Sequence, residues 1–114
     1  FAPVHVVRGN NDGPAVADWG APDTLDLDLD GLRVGMVHDS GPRDGRGPRM
    51  RRLFPDADLV VFGHSHIPWD TVAPSGMRLV NPGSPTDRRR QPVCTMMRVT
   101  IDERRIDATL VPLA

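Results

Sequence analysis

The sequence predicts a strand-rich α/β (α+β) domain, built either as two stacked sheets or as one mixed sheet with one or two short helices outside it. Three observations lead there. Leu25, Leu27 and Leu29 alternate with Asp26 and Asp28 and run into Asp30-Gly31, a strong short hairpin signal. Two short apolar runs, Val4-His5-Val6-Val7 and Leu59-Val60-Val61-Phe62, read as buried strands. Two more pairs of strand-like segments flank turn residues, at Ser75-Gly76 and between Asp102 and Arg105.

Taken in order, the run at Val4 to Val7 is expected to be a buried strand with His5 as a structural residue inside it, followed by a loop from Gly9 to Gly13. Pro14 opens a short helix reaching Trp19, since proline suits a first helical turn. The strand from Thr24 to Leu29 is half-buried, with its leucines on one face and its aspartates on the other. Its partner runs from Leu32 to Val37 and delivers His38 at its end. A Gly/Pro-rich loop spans residues 39–48. Residues 49–54 then read as a helix whose buried face is Met50, Leu53 and Phe54, stopped by Pro55. After the apolar strand ending at Phe62, residues 70–73 and 77–80 form one hairpin, and residues 94–101 and 106–113 form another.

The 114 residues suffice for one small domain, residues 1–114. Eleven glycines and twelve prolines imply many turns, and 39% hydrophobic residues lies below the usual globular share of about 45–50%. A net charge of −1 excludes a global attraction to nucleic acid or anionic membrane. No apolar run approaches the ~20 residues of a membrane span. Cys94 is the single cysteine, so no internal disulfide forms, which fits a reducing, cytoplasmic location. The chain opens on Phe1-Ala2-Pro3 directly before strand-like sequence, which predicts an upstream part.

The candidate chemistry sits at predicted strand ends. Asn10, His38, His64 and His66 each follow a strand, and ligands in open α/β sheets gather at carboxyl ends. Imidazole suits Zn, Mn, Fe or Ni, and an asparagine oxygen suits the harder of these. His64 and His66, in a turn just past a strand, can reach two adjacent ions, and such a pair holds a phosphate ester for in-line attack by water. Each fragment alone has a plainer reading. A lone His-x-His is often a surface or core pair, and Asn81-Pro82-Gly83-Ser84 alone is a turn.

The ordered set Gly9-Asn10-Asn11-Asp12, His38, Gly63-His64-Ser65-His66 and Asn81-Pro82-Gly83-Ser84 resembles the calcineurin-like metallophosphoesterases. The subgroup is that of the small bacterial phosphodiesterases related to the retromer scaffold subunit. The resemblance covers almost the whole chain and implies a two-sheet β-sandwich flanked by helices, with two divalent ions (Mn, Ni, Fe or Zn) per intact site. It implies Asn10, His38 and His64 as ligands of one ion and His66 as a ligand of the other. Asp12 matches the acidic residue of the family's loop beside the substrate phosphate. Asn11 stands where many relatives carry an acidic-role histidine, so the general acid is in doubt. Asn81, Gly83 and Ser84 would line the substrate site, mainly by backbone, with Arg88 from the run Arg88-Arg89-Arg90 able to meet a phosphate. The family's opening Asp-x-His and Gly-Asp motifs are absent, so the chain resembles the C-terminal part of the domain. The resemblance thus implies a phosphodiesterase acting on phosphate esters in the intact parent, and an inactive, incomplete site in this chain. Apolar surface left uncovered around residues 4–7 and 59–62 would drive it to a homo-oligomer.

Other readings fit less well. Metallo-β-lactamase-like hydrolases need His-x-His-x-Asp-His, but Ile67, Pro68 and Trp69 follow here. Amidohydrolases use a barrel of about 250 residues. A nucleic-acid binder would use Arg43, Arg46, Arg49, Arg51, Arg52 and the run at Arg88, but three Phe and two Trp without clustering offer no stacking platform, which argues against nucleic acid as a stable partner. The remaining alternative is a non-catalytic interaction scaffold of the same fold.

Overall fold

The computed structural model describes residues 3–9 and 20–113. The element order is β1 (Thr24–Leu29), β2 (Leu32–Val37), α1 (Arg46–Leu53), β3 (Leu59–Val61), β4 (Trp69–Val72), β5 (Arg78–Asn81), β6 (Cys94–Asp102) and β7 (Arg105–Leu113). Strands β1 to β5 form one sheet in the order β1-β2-β3-β5-β4, and β6-β7 form a second. The two sequence alternatives are therefore combined, a mixed sheet with a helix on one face and a small sheet on the other.

Strand β1 pairs antiparallel with β2 in the register Leu29↔Leu32 to Thr24↔Val37. Asp30 and Gly31 both take positive φ, 54° and 81°, as a two-residue turn with the twist of a hairpin requires. Strands β2, β3 and β5 run parallel side by side, and α1 lies in the connection between β2 and β3, as parallel neighbours need a crossover. The turn between β6 and β7 is Glu103-Arg104, again with both φ positive.

Strand periodicity sorts the core. Val60, Phe62 and Leu79 pack with Met50, Phe54, Ala57, Ala73 and Met77 on the helix side. Leu32, Val34, Leu59 and Val80 face the other way, against Met97, Val99, Ile101 and Ile106 of the β6-β7 hairpin. Both faces of β3 are thereby covered, so the apolar surface expected to be uncovered at residues 59–62 is core instead.

Four further expectations are corrected. Residues 4–7 form no strand, and Val4 is 75% exposed, because among the described residues no neighbouring strand offers them a ladder. Arg8 N does donate to Pro22 O at 2.9 Å, and Arg8 pairs with Asp23 at 2.9 Å. His5 is exposed rather than inside a core strand. The helix starts three residues early, at Arg46, with Pro48 in its first turn, where its missing N–H has no partner to lose. Leu53 is 46% exposed, since it lies off the Met50–Phe54 stripe that packs into the helix-side core. The expected helix from Pro14 to Trp19 lies outside the described residues. Among the described residues no helix is long and apolar enough to cross a membrane.

Candidate metal centre

Sheet order makes the site. Strands β2, β3 and β5 are adjacent and parallel, so their carboxyl ends lie along one rim. His38 follows β2, Gly63 and His64 follow β3, and Asn81 closes β5. Gly63 N donates to His38 O at 2.8 Å, which ties two of these ends together. His38 Nε2 then stands 3.2 Å from His64 Nδ1, with the two rings nearly perpendicular at 82°. Two imidazole nitrogens each ~2.1 Å from one ion, at tetrahedral to octahedral angles, stand about 3.0–3.4 Å apart. The pair has the spacing of two neighbouring ligands of a single ion.

The histidines are held in unusual backbone. His64 has φ 69° and His66 has φ 63°, a left-handed region that costs a non-glycine residue of order 1–2 kcal/mol. Such strain persists where the surroundings over-determine it, and it gathers at functional sites. Here Asn81 supplies the constraint. It is 0% exposed. Its Nδ2 donates to Gly63 O and to Ser65 Oγ, both at 3.2 Å, and its Oδ1 accepts from Gly83 N at 2.9 Å. Asn81 therefore braces the His64–His66 turn from behind.

His66 is positioned separately. Its Nδ1 lies 2.6 Å from the carbonyl of Asp87, so this nitrogen carries the proton and Nε2 keeps a free lone pair. The Asp87 carbonyl is presented by a turn in which Ser84 Oγ accepts from Asp87 N at 3.0 Å. Ser84 O in turn accepts from Thr95 N at 2.9 Å, and Thr95 Oγ1 donates to Pro82 O at 2.7 Å, so β6 anchors this turn. Gly83, at φ 79°, has no room for a side chain, because a Cβ there would overlap Thr95 Oγ1. Arg88 is exposed and donates to Gln91 O at 2.6 Å.

The structure thus brings together His38 and His64, with Asn81 beneath them, and sets His66, Ser84 and Gly83 on the neighbouring turn. Asn10, Asn11 and Asp12 lie outside the described residues. Among the described residues no group of three or more His, Cys, Asp or Glu is arranged to hold a metal. The donor set fits a divalent ion as a partial site, in which His38 and His64 would share one ion.

Asp39 is a neighbour that the motif pattern did not single out. Its Oδ1 accepts from Gly41 N at 2.8 Å, and its Oδ2 stands 3.8 Å from His64 Nε2, on the ring edge opposite His38. At that distance the carboxylate makes no hydrogen bond to the ring and acts on it only as a nearby negative charge. The only sequence signal was adjacency to His38. Arg46 is a second such residue. Its guanidinium stacks on Phe62 and Trp69, and burial, reinforced by the nearby Arg49, lowers its affinity for its proton.

The sequence profile of the calcineurin-like phosphoesterase superfamily domain matches residues 1–104. The chain belongs to the calcineurin-like phosphoesterase superfamily. That superfamily is metal-dependent. Three solved structures share the fold. A Thermotoga maritima protein is 29% identical, matching 96% of this chain and 65% of its own, with a TM-score of 0.71. A predicted phosphoesterase from Streptococcus pneumoniae is 24% identical over 95% of this chain and 62% of its own, with a TM-score of 0.77. Zinc-complexed Vps29 from Entamoeba histolytica is 23% identical over 96% of this chain and 68% of its own, with a TM-score of 0.70. The chain thus spans less than two thirds of the first two of these relatives. No protein of the curated set is significantly similar to it in sequence.

Proposed function

We propose that residues 1–114 form part of a metal-dependent phosphoesterase domain that hydrolyses phosphodiesters in the whole protein. The observation that carries this is the convergence of His38 Nε2 and His64 Nδ1 to 3.2 Å at the carboxyl ends of adjacent parallel strands, in a chain of this superfamily.

In this reading His38, His64 and Asn10 hold one divalent ion, and His66 contributes to a second, each being Mn, Ni, Fe or Zn. Such a pair supplies Lewis-acid stabilisation of the phosphate charge and lowers the pKa of water. The chain's own residues do the rest. Asp39 places a negative charge 3.8 Å from the Nε2 edge of the His64 ring. The Asp87 carbonyl fixes the His66 tautomer. Asn81 holds the strained turn, and Gly83 and Ser84 form the site's wall. Asp12 and Asn11 act next to the substrate phosphate, with no general acid assigned to Asn11, and Arg88 is near enough in sequence to the Asp87 turn to meet an anionic substituent. A lone Cys94 accords with a reducing cytoplasm.

The test is turnover of an activated aryl phosphodiester by the full-length protein, with and without Mn or Ni. Metal-stimulated hydrolysis is expected. Its absence, with the protein folded, would sink the enzyme reading and leave a protein-interaction scaffold of the same fold in its place.

A further inference from the structure

Most partly buried arginines in this fold are saturated by it. Arg49 donates to the carbonyls of Ser40 at 2.6 Å, Pro42 at 3.0 Å and Asp44 at 2.9 Å. Arg78 forks onto Asp70 at 2.8 and 2.9 Å and reaches Ile106 O at 2.6 Å. Arg46 differs. Among the described residues its side chain makes one hydrogen bond, from Nη2 to Gly41 O at a long 3.3 Å, and no ion pair. Its Nε is buried with no partner.

The guanidinium is nonetheless firmly placed. Its central carbon lies 4.7 Å from the Phe62 ring centroid and 4.9 Å from that of Trp69. Both contacts are within cation–π range. They hold the cation in place without using its N–H donors. A guanidinium has five N–H donors in a fork that matches phosphate oxygens, and leaving such donors unpaired is costly. Arg46 lines a cavity of about 280 Å³ together with Asp39, Ser40, Gly41 and His64. The charges that act on Arg46 are two arginines, Arg43 and Arg49, against one carboxylate, Asp39, so the surroundings are net positive.

We propose that this cavity is a phosphate-oxyanion subsite, in which the guanidinium of Arg46, packed against Phe62 and Trp69, binds a non-bridging oxygen of the phosphate ester held at His38 and His64. The proposal rests on the phosphoesterase reading and adds its substrate-binding cation. The oxyanion comes either from the reacting phosphoryl group or from a second phosphate on the leaving group.

The test uses the full-length protein and inorganic phosphate as probe. The Arg46 Nε–Hε resonance is expected to shift and saturate on phosphate titration. Calorimetry should show phosphate affinity falling tenfold or more in Arg46→Met and by a smaller factor in Arg46→Lys, with the metal titration unchanged. If Arg46→Met does not fold, Arg46→Lys and the resonance decide. An unmoved resonance together with unchanged phosphate affinity in a folded variant would overturn the proposal and make Arg46 a structural staple. Esters with and without a second phosphate separate the sources. If Arg46→Lys lowers kcat/KM for both, the reacting phosphoryl is bound; if only for the doubly phosphorylated ester, the leaving group is bound; either result supports the subsite. Hydrolysis indifferent to Arg46 overturns the subsite alone. Arg46-dependent phosphate binding without hydrolysis of any ester overturns the hydrolase reading alone.

Discussion

At the scale of single residues, His64 and His66 carry both ligating nitrogens and backbone strain, with φ of 69° and 63°. The strain makes a prediction separable from the chemistry. Asparagine tolerates the left-handed region and valine, branched at Cβ, does not. His64→Val should therefore be less stable than His64→Asn by about 1–2 kcal/mol. Urea denaturation of the two variants checks this, and equal midpoints would mean that the turn relaxes and stores no strain. The motif pattern identified both histidines because glycine ends the apolar run just before them. It offered no sign of the positive φ at either position, which follows from how Asn81 holds Gly63 O and Ser65 Oγ.

At the scale of elements, the C-cap of α1 meets β2 in a close approach at Gly35. A Cβ at Gly35 would stand 2.6 Å from Cγ and Cδ1 of Phe54, whose ring is buried in the helix-side core. Gly35→Ala should cost about 1–3 kcal/mol by overpacking. Combining it with Phe54→Leu, which frees space at that spot, should cost less than the sum of the two single changes. A double-mutant cycle measures the difference, and strict additivity would show that the two residues do not meet. The turns at Asp30-Gly31 and Ser75-Gly76 and the alternation in β1 were legible from local sequence, and these hairpins form where expected. The run at residues 4–7 was misread because an apolar segment becomes a strand only when a neighbour supplies hydrogen bonds.

At the scale of the whole molecule, Arg78 links the sheet edge to the second sheet. It forks onto Asp70 of β4 and donates to Ile106 O of β7. The hydrogen bond from Arg78 is the main reason that the Asp70 carboxyl sits below its ordinary pKa, against a smaller opposing effect of burial. A depressed carboxylate stabilises the fold above the unfolded-state pKa of about 3.9, and that stabilisation is lost as pH falls through the folded-state value. With Asp70 38% exposed, solvent screening holds the contribution below about 1 kcal/mol. Asp70→Asn should be less stable than wild type at pH 7 and converge with it below pH ~4. Thermal melts across that range check this, and a gap independent of pH would rule out the linkage.

Most strands and turns and the chemical inventory are written in local stretches of the sequence. Alternating leucines specify β1, glycine-containing turns close the hairpins at Asp30-Gly31 and Ser75-Gly76, and His38, His64 and Asn81 fall at or just past strand ends because each apolar run stops there. Which strands are neighbours depends instead on long-range packing. The order β1-β2-β3-β5-β4 sets β2 beside β3, and this brings two imidazoles 26 positions apart in sequence to 3.2 Å. The same packing sets the neighbours of the site: the Asp39 carboxylate near His64, the Asp87 carbonyl on His66, and Arg46 against two aromatic rings. The physical reason is that strand formation depends on side-chain periodicity over a few residues. Strand order, by contrast, is set by which faces bury against α1 and the β6-β7 hairpin, a balance spread over the whole chain and visible in no single stretch of it.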